Sequence, residues 1–255
     1  MLPPSSPPPV RSYVPDHESG SRNGVEAVRV PDDAELVGTA AAACESAARK
    51  LKAATLLLGA RQWAEAFYNA ALGFEELGKA HLCMTMAVIP VQYRSAFSAR
   101  EFSEMFNGHA AKAAFGHLVL QMVDKDAPEA VTDMLAEVEA AATQTNTTKF
   151  RGLYVDLGAD GALLRPSDVG EADARWMVDR LQTLYGWVGP MYIALGQDPD
   201  FLVFLQQFRE GIDVAAVGAA VGTDMNLLLR QMRSAFQNPE TAPPSWIAAA
   251  LPPLP

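Results

Sequence analysis

Cysteine is nearly missing from this sequence. Cys44 and Cys83 stand far apart, and no CxxC pair occurs. Two cysteines are too few for a disulfide framework and form no zinc signature, which points to a reducing compartment. Long apolar runs are missing as well: none approaches the about 18 residues of a membrane-spanning helix. The first stretch, MLPPSSPPPVRSYVPDHESG, has no basic segment leading into an apolar one. No secretory signal is expected, and a cytoplasmic location is. Positive charge is in the minority: 20 Lys and Arg against 30 Asp and Glu leave a net charge of −10. A generally basic surface for coating nucleic acid or anionic membrane is excluded, whereas a local basic pocket is not.

The 255 residues are 49% apolar and 20% charged, the balance of a soluble globular protein with one domain plus extras, or two small ones. Six prolines lie in 1–15 and six in 239–255, of 18 in all. Residues 1–30 and 239–255 are therefore expected to be disordered Pro-rich tails. Between them the period is helical. A helix over 32–58 starts on Asp32 and Glu35 and carries the stripe Leu36, Ala40, Ala43, Ala47, Leu51, Ala54 and Leu58. A second, over 61–89, stops at Pro90 and is apolar almost all round, the pattern of a buried central helix. A third begins after Ser98 and either continues through or breaks at Asn107-Gly108 on its way to about 124. A fourth spans about 127–142, and TQTNTT (143–148) follows as a polar loop. A short extended segment and a Gly-rich turn lead to a long helix that starts on Asp168 and Glu171 and reaches about 195, kinked at Pro190. Two more helices are expected at 199–210 and 224–236. The fold class is all-α, an up-and-down helical bundle with a C-terminal helical extension.

Three features carry candidate chemistry. In the second helix, Glu75, Glu76 and Lys79 interrupt an apolar stretch. Glu76 and Lys79 lie about 60° apart and share a face, while Glu75 and Lys79 have the spacing of an exposed i,i+4 pair. His109 and Lys112 are i,i+3 neighbours near a helix start, a proton carrier beside a phosphate-holding cation, or else a capping histidine and a solvated lysine. The segment Lys149-Phe150-Arg151-Gly152-Leu153-Tyr154-Val155-Asp156 places two cations, a tyrosine and a carboxylate in a stretch expected to be non-helical. Read as a calcium loop from Asp156, it has Gly158 at the third position and Ser167 at the twelfth, so the ligands are missing and no metal is expected. Residues 218–236 have a faint helix-turn-helix look, but three arginines and three acids over 209–237 leave that stretch neutral, and a plain helical hairpin is the better description.

EELGKA (75–80), His109-x-x-Lys112 and KFRGLYVD (149–156), in this order, resemble the AbiV family of abortive-infection proteins, within the HEPN superfamily of helical bundles. The resemblance covers about 32–195 and implies a HEPN-like domain at 31–196 with an extension at 197–238. It implies a role in defence against phage, in which the infected cell stops growing. Many relatives in the superfamily are metal-independent ribonucleases with an arginine four to six residues before a histidine. Here the nearest arginine before His109 is Arg100, with eight residues between. On that resemblance, RNA cleavage would use His109 as general acid and base. Lys112, with Lys79 or Lys149, would hold the phosphate, and Glu76 and Asp156 would orient the cations. Lys149, Arg151, Tyr154 and Asp156 form the expected substrate-binding group. No cofactor and no membrane contact are expected. The expected partners are RNA, a phage-encoded activator or translation component, and a second copy in a homodimer. The competing possibility is a non-catalytic helical protein that binds a phage or translation component, with Glu76, Lys79, His109 and Tyr154 as a buried polar network.

Overall fold

A computed structural model of the chain describes residues 31–89, 91–94, 99–123, 131–157, 161 and 163–211. The expected tails at 1–30 and 239–255, and the expected helix at 224–236, lie outside these. Helix α1 (Asp33–Gly59) opens on the expected capping box: the Glu35 amide donates to Asp32 Oδ1 at 2.9 Å, and the Asp32 amide donates to Glu35 Oε2 at 2.9 Å. A turn through Arg61, whose φ of 59° is left-handed, leads into α2 (Trp63–Val88). The two run antiparallel, with Lys50 beside Gly73 and Asp33 beside the α2 end. Alanine at Ala40, Ala43, Ala47, Ala70 and Ala71, all buried, lets the helices approach closely.

The short α3 (Val91–Arg94) follows, then α4 (Ala99–Asn107) and α5 (His109–Val123). The chain thus breaks at Gly108, one of the two alternatives the sequence left open. Helix α5 lies antiparallel to α2, and α6 (Val131–Arg151) antiparallel to α5. Two-residue strands β1 (Asp156–Leu157) and β2 (Leu163–Leu164) pair antiparallel, and one 3-10 turn at Pro166–Asp168 precedes α7 (Glu171–Gln197). Asp168 therefore belongs to that turn, and Asp173 reaches back to the Gly170 amide at 3.1 Å to start α7. Helix α7 runs on through Pro190, which sits exposed, where water can satisfy the carbonyl that loses its partner. Helix α8 (Phe201–Gly211) ends the described chain.

The fold is all-α, a helical bundle whose core lies between α1, α2 and α7. Phe67, Phe74, Leu77, Met177, Leu181 and Leu184 are each at most 1% exposed. Along α7 the helically spaced Met177, Leu181, Leu184, Val188 and Tyr192 are all buried. Helix α2 is buried nearly all round, as a central helix must be. Cys83 lies within it and Cys44 beside it on α1, both as free thiols, pushed up to about 12 by burial.

The expected TQTNTT loop is a correction: 143–148 and Lys149, Phe150 and Arg151 are all helical, the last turns of α6. Thr145 and Thr148 of this run lie on the buried face of the helix, while Thr143, Gln144 and Thr147 are exposed. Thr145, fully buried, donates to the Ala141 carbonyl at 2.8 Å and accepts from His117 Nε2 at 2.9 Å. His117 lies between Phe74 and Trp176, and burial pushes its pKa down to about 3, so it is the neutral imidazole that packs here. A threonine that satisfies its hydroxyl within the helix and across to α5, as Thr145 does, does not end it.

Candidate functional site

Helix α2 carries one carboxylate into the bundle. Glu75 is 2% exposed and faces α5 and α6. From the last turn of α6, the Lys149 ammonium donates to Glu75 Oε1, and from the first turn of α5, His109 Nδ1 lies 2.6 Å from Oε2. Lys112, one turn further along α5, stands 4.0 Å from the same oxygen. A buried carboxylate without partners would be very costly, and this one is met by two hydrogen-bonding partners and a third cation nearby. The surface Glu75–Lys79 pair expected as one alternative is absent: the Glu75 side chain points inward, because α5 and α6 close over that face.

Gly78 makes the approach possible. A Cβ at this position would stand 1.8 Å from the Lys112 carbonyl oxygen and 3.2 Å from the Gly116 amide nitrogen, so α5 rests on the bare backbone of α2. Phe74 closes the other side of the contact, against Gly116. Gly78→Ala is expected to force α5 outward, at a cost of about 1–3 kcal/mol, and to pull His109 and Lys112 away from Glu75. Thermal unfolding together with the His109 ring resonances by NMR would check this. An unchanged melting temperature with unchanged ring shifts would contradict it.

Charge does not balance in this cluster. Two lysines and a histidine face one buried carboxylate. Glu76 and Lys79 pair with each other at 2.8 Å, i and i+3, partly buried, with Lys79 Nζ 5.3 Å from the Phe106 ring centre of α4. Both lie near enough to act on Lys112, whose pKa is below the usual lysine value. Burial lowers it most, and Glu75 opposes that shift. The cations outnumber the carboxylates even with His109 neutral, a local reversal of the chain's overall sign.

His109 is the member that reaches solvent, with its side chain 51% exposed against 3% for that of Glu75. A carboxylate on Nδ1 holds the proton there and leaves Nε2 as the basic nitrogen. An imidazole oriented in this way can accept a proton from a hydroxyl and return it to a leaving oxygen. Lys112 and Lys149, 8% and 2% exposed, neutralise and position rather than reach outward.

The other expected site residues divide. Arg151 turns to α7, 3.9 Å from Asp173. Tyr154 is 60% exposed, outside any buried network. Asp156 opens β1 opposite Leu164, and its side chain lies outside the described residues. Arg100 pairs on the surface with Glu104 at 2.8 Å. The structure thus gathers His109, Lys112 and Lys149, sets Glu76 and Lys79 beside them, and leaves Arg151 and Tyr154 apart. Glu75, Gly78 and Phe150 were not singled out as site residues from the sequence. The signal for the first was the acidic doublet at 75–76, of which one member must face inward on a helix that is apolar all round. Among the described residues, no group of three or more His, Cys, Asp or Glu side chains could hold a metal ion, and no helix is long and apolar enough to cross a membrane.

The family model described as AbiV, a HEPN model, matches residues 35–185. The matched span starts in the first turn of α1, ends within α7 and contains every member of the Glu75 cluster. No curated protein and no solved structure matches the chain.

Proposed function

The chain belongs to the AbiV family of the HEPN superfamily, abortive-infection proteins of anti-phage defence, and we propose that it arrests growth by cleaving RNA without a metal ion, with His109 moving the proton. The observation that carries this is the Glu75–His109 pair at 2.6 Å, half-open to solvent and backed by Lys112 and Lys149. In such a cleavage, His109 Nε2 takes the proton of a ribose 2′-hydroxyl. The 2′-oxygen attacks the adjacent phosphorus, and the bond to the 5′-oxygen breaks as that oxygen takes up a proton. The products are a 2′,3′-cyclic phosphate and a 5′-hydroxyl. The surplus positive charge favours the phosphate and the extra negative charge of the transition state. A phage-encoded activator or translation component, and a second copy of the chain, belong to the same proposal as partners.

The test is RNA integrity in a bacterial host after induced expression of wild type and His109→Ala, at matched soluble levels. Fragmented RNA with wild type and intact RNA with the variant is the expected result, with a loss of about a hundredfold or more in cleavage. One observation favours a second reading, a non-catalytic protein that binds a phage or translation component: both lysine ammonium groups are buried against Glu75, which leaves little cation free to grip a phosphate. Growth arrest with intact RNA in both strains would select that reading and sink the first.

A further inference from the structure

Phe150 lies in the last turn of α6, between Lys149 and Arg151, and the residue is 43% exposed. An apolar ring gains by turning inward, yet this one is held at the surface by polar neighbours. The His109 ring meets it edge-on at 6.3 Å between centres, and Lys149 Nζ lies 4.9 Å from its centroid. Just beyond the helix end, the Tyr154 amide donates to the Phe150 carbonyl at 3.2 Å, and the Tyr154 side chain is 60% exposed. Val155 beside it is 67% exposed. The half-exposed Phe150 ring therefore borders the half-open His109, above a cluster in which cations outnumber carboxylates.

We propose that Phe150 is the stacking platform that receives an unpaired base of single-stranded RNA next to the phosphate that His109 acts on. This rests on the RNA-cleavage reading above and deepens it, by naming the strand state of the substrate and the side chain that selects it. Stacking needs a free base face, which a duplex hides and a single strand offers. Every base has such a face, so the platform reads strand state and tolerates sequence. The phosphate that follows a stacked base meets the positive side of the Glu75 cluster, which supplies charge complementarity in a chain that is otherwise acidic. Holding the ring against His109 and Lys149 in the free protein lowers the ordering cost when a base arrives. Phe150 is a binding residue in this proposal, and its loss acts on affinity for the strand.

The test uses the full-length chain and fluorescence anisotropy with a labelled 2′-O-methyl oligonucleotide, which lacks the attacking hydroxyl and stays whole. The same sequence is offered as a single strand and as a duplex. Wild type is expected to prefer the single strand. Phe150→Leu, which keeps an apolar side chain without an aromatic face, is expected to lose about tenfold in affinity, and Phe150→Trp to keep it. Thermal unfolding of both variants separates this from a lost cover over the Glu75–Lys149 pair, which would lower stability and leave binding intact. The proposal is overturned if Phe150→Leu binds like wild type, if the duplex binds as well as the single strand, or if wild type binds neither. That last outcome, joined to loss of growth arrest in Phe150→Leu, would make the patch a protein contact. Binding in the expected pattern by a wild type that leaves ordinary RNA whole would retain the platform and remove the nuclease. His109-dependent cleavage with unaltered binding by the Phe150 variants would do the reverse.

Discussion

Glu75→Gln is expected to lower the stability of the fold by about 3–5 kcal/mol, the largest loss from any single change at the site. The variant keeps the shape of the side chain and removes the charge. Lys149, 2% exposed, and Lys112, 8% exposed, would then lie under α2 with no carboxylate between them. At about 2–4 °C per kcal/mol for a domain of this size, the melting temperature should drop by about 10 °C or more. The loss should also depend on pH in a defined direction. The Lys112 pKa already lies below its unfolded value of 10.5, with burial as the main cause and Glu75 opposing it. Without Glu75 the downward shift deepens. The unfolded chain then binds more protons than the folded one over the interval below 10.5, so the variant should regain stability as pH rises through that interval. Adding Lys149→Met removes one of the two uncompensated cations and should return part of the loss, a coupling that a double-mutant cycle reads directly. Unfolding curves of the single and double variants at about pH 7 and about pH 9 would decide. A Glu75→Gln protein that melts within about 2 °C of wild type would show that the cluster does not carry buried charge in solution.

The helices and their inward faces were legible because their signals are local. Capping at Asp32 and Glu35, the stripe from Leu36 to Leu58 and the one from Met177 to Tyr192 each follow from spacing within a single segment. The end of α6 was not legible for the opposite reason. Thr145 and Thr148 look like loop residues until α5 brings His117 to meet one of them, and a hydrogen bond across 28 positions leaves no trace in periodicity. The same limit applies to the site. His109, Lys112 and Lys149 could be picked out as cations in unusual company, but their common partner could not. Glu75 and Glu76 differ by about 100° on the helix, and only the packing of α5 against Gly78 decides which of them turns inward. Gly78 itself carries no pattern in sequence beyond being a glycine in a helix. The resemblance to AbiV proteins supplied what spacing lacked, because it tied three distant motifs together before any contact among them was visible.

Asp33→Asn is the second change expected to be severe, far from the Glu75 cluster, with a loss of about 3 kcal/mol. Asp33 stands at the start of α1 and receives two arginines. Arg94 of α3 donates to Oδ1 at 2.5 Å, and Arg209 of α8 donates to both oxygens, at 2.8 Å and 2.5 Å. The arginine side chains are only 7% and 8% exposed. Each also donates to the Ala87 carbonyl, and Arg94 Nε donates to that of Ile89, so the pair covers the open C-terminal end of α2, where cations suit the helix dipole. The asparagine side chain would still offer one oxygen, but two guanidinium groups would sit side by side without a counter-charge. Helix α8 is held by this contact and by buried Phe201 and Leu205, so it should be the first part to loosen. Hydrogen exchange should speed up across the amides of α8 in the variant, ahead of those of α2 and α7. Arg209→Ala should loosen α8 in the same way with a smaller global loss, because Arg94 and Asp33 then remain as a one-to-one pair. Acid should imitate the Asp33 substitution. The Asp33 pKa lies below its usual 3.8, with the hydrogen bond from Arg209 the largest cause, so its contribution is complete above that value and disappears as pH falls through the folded one. In wild type the α8 amides should therefore lose protection at low pH through this contact, and in Asp33→Asn that part of the acid response should be gone. Equal α8 exchange in wild type and Asp33→Asn at neutral pH would show that α8 is held by its apolar side chains alone.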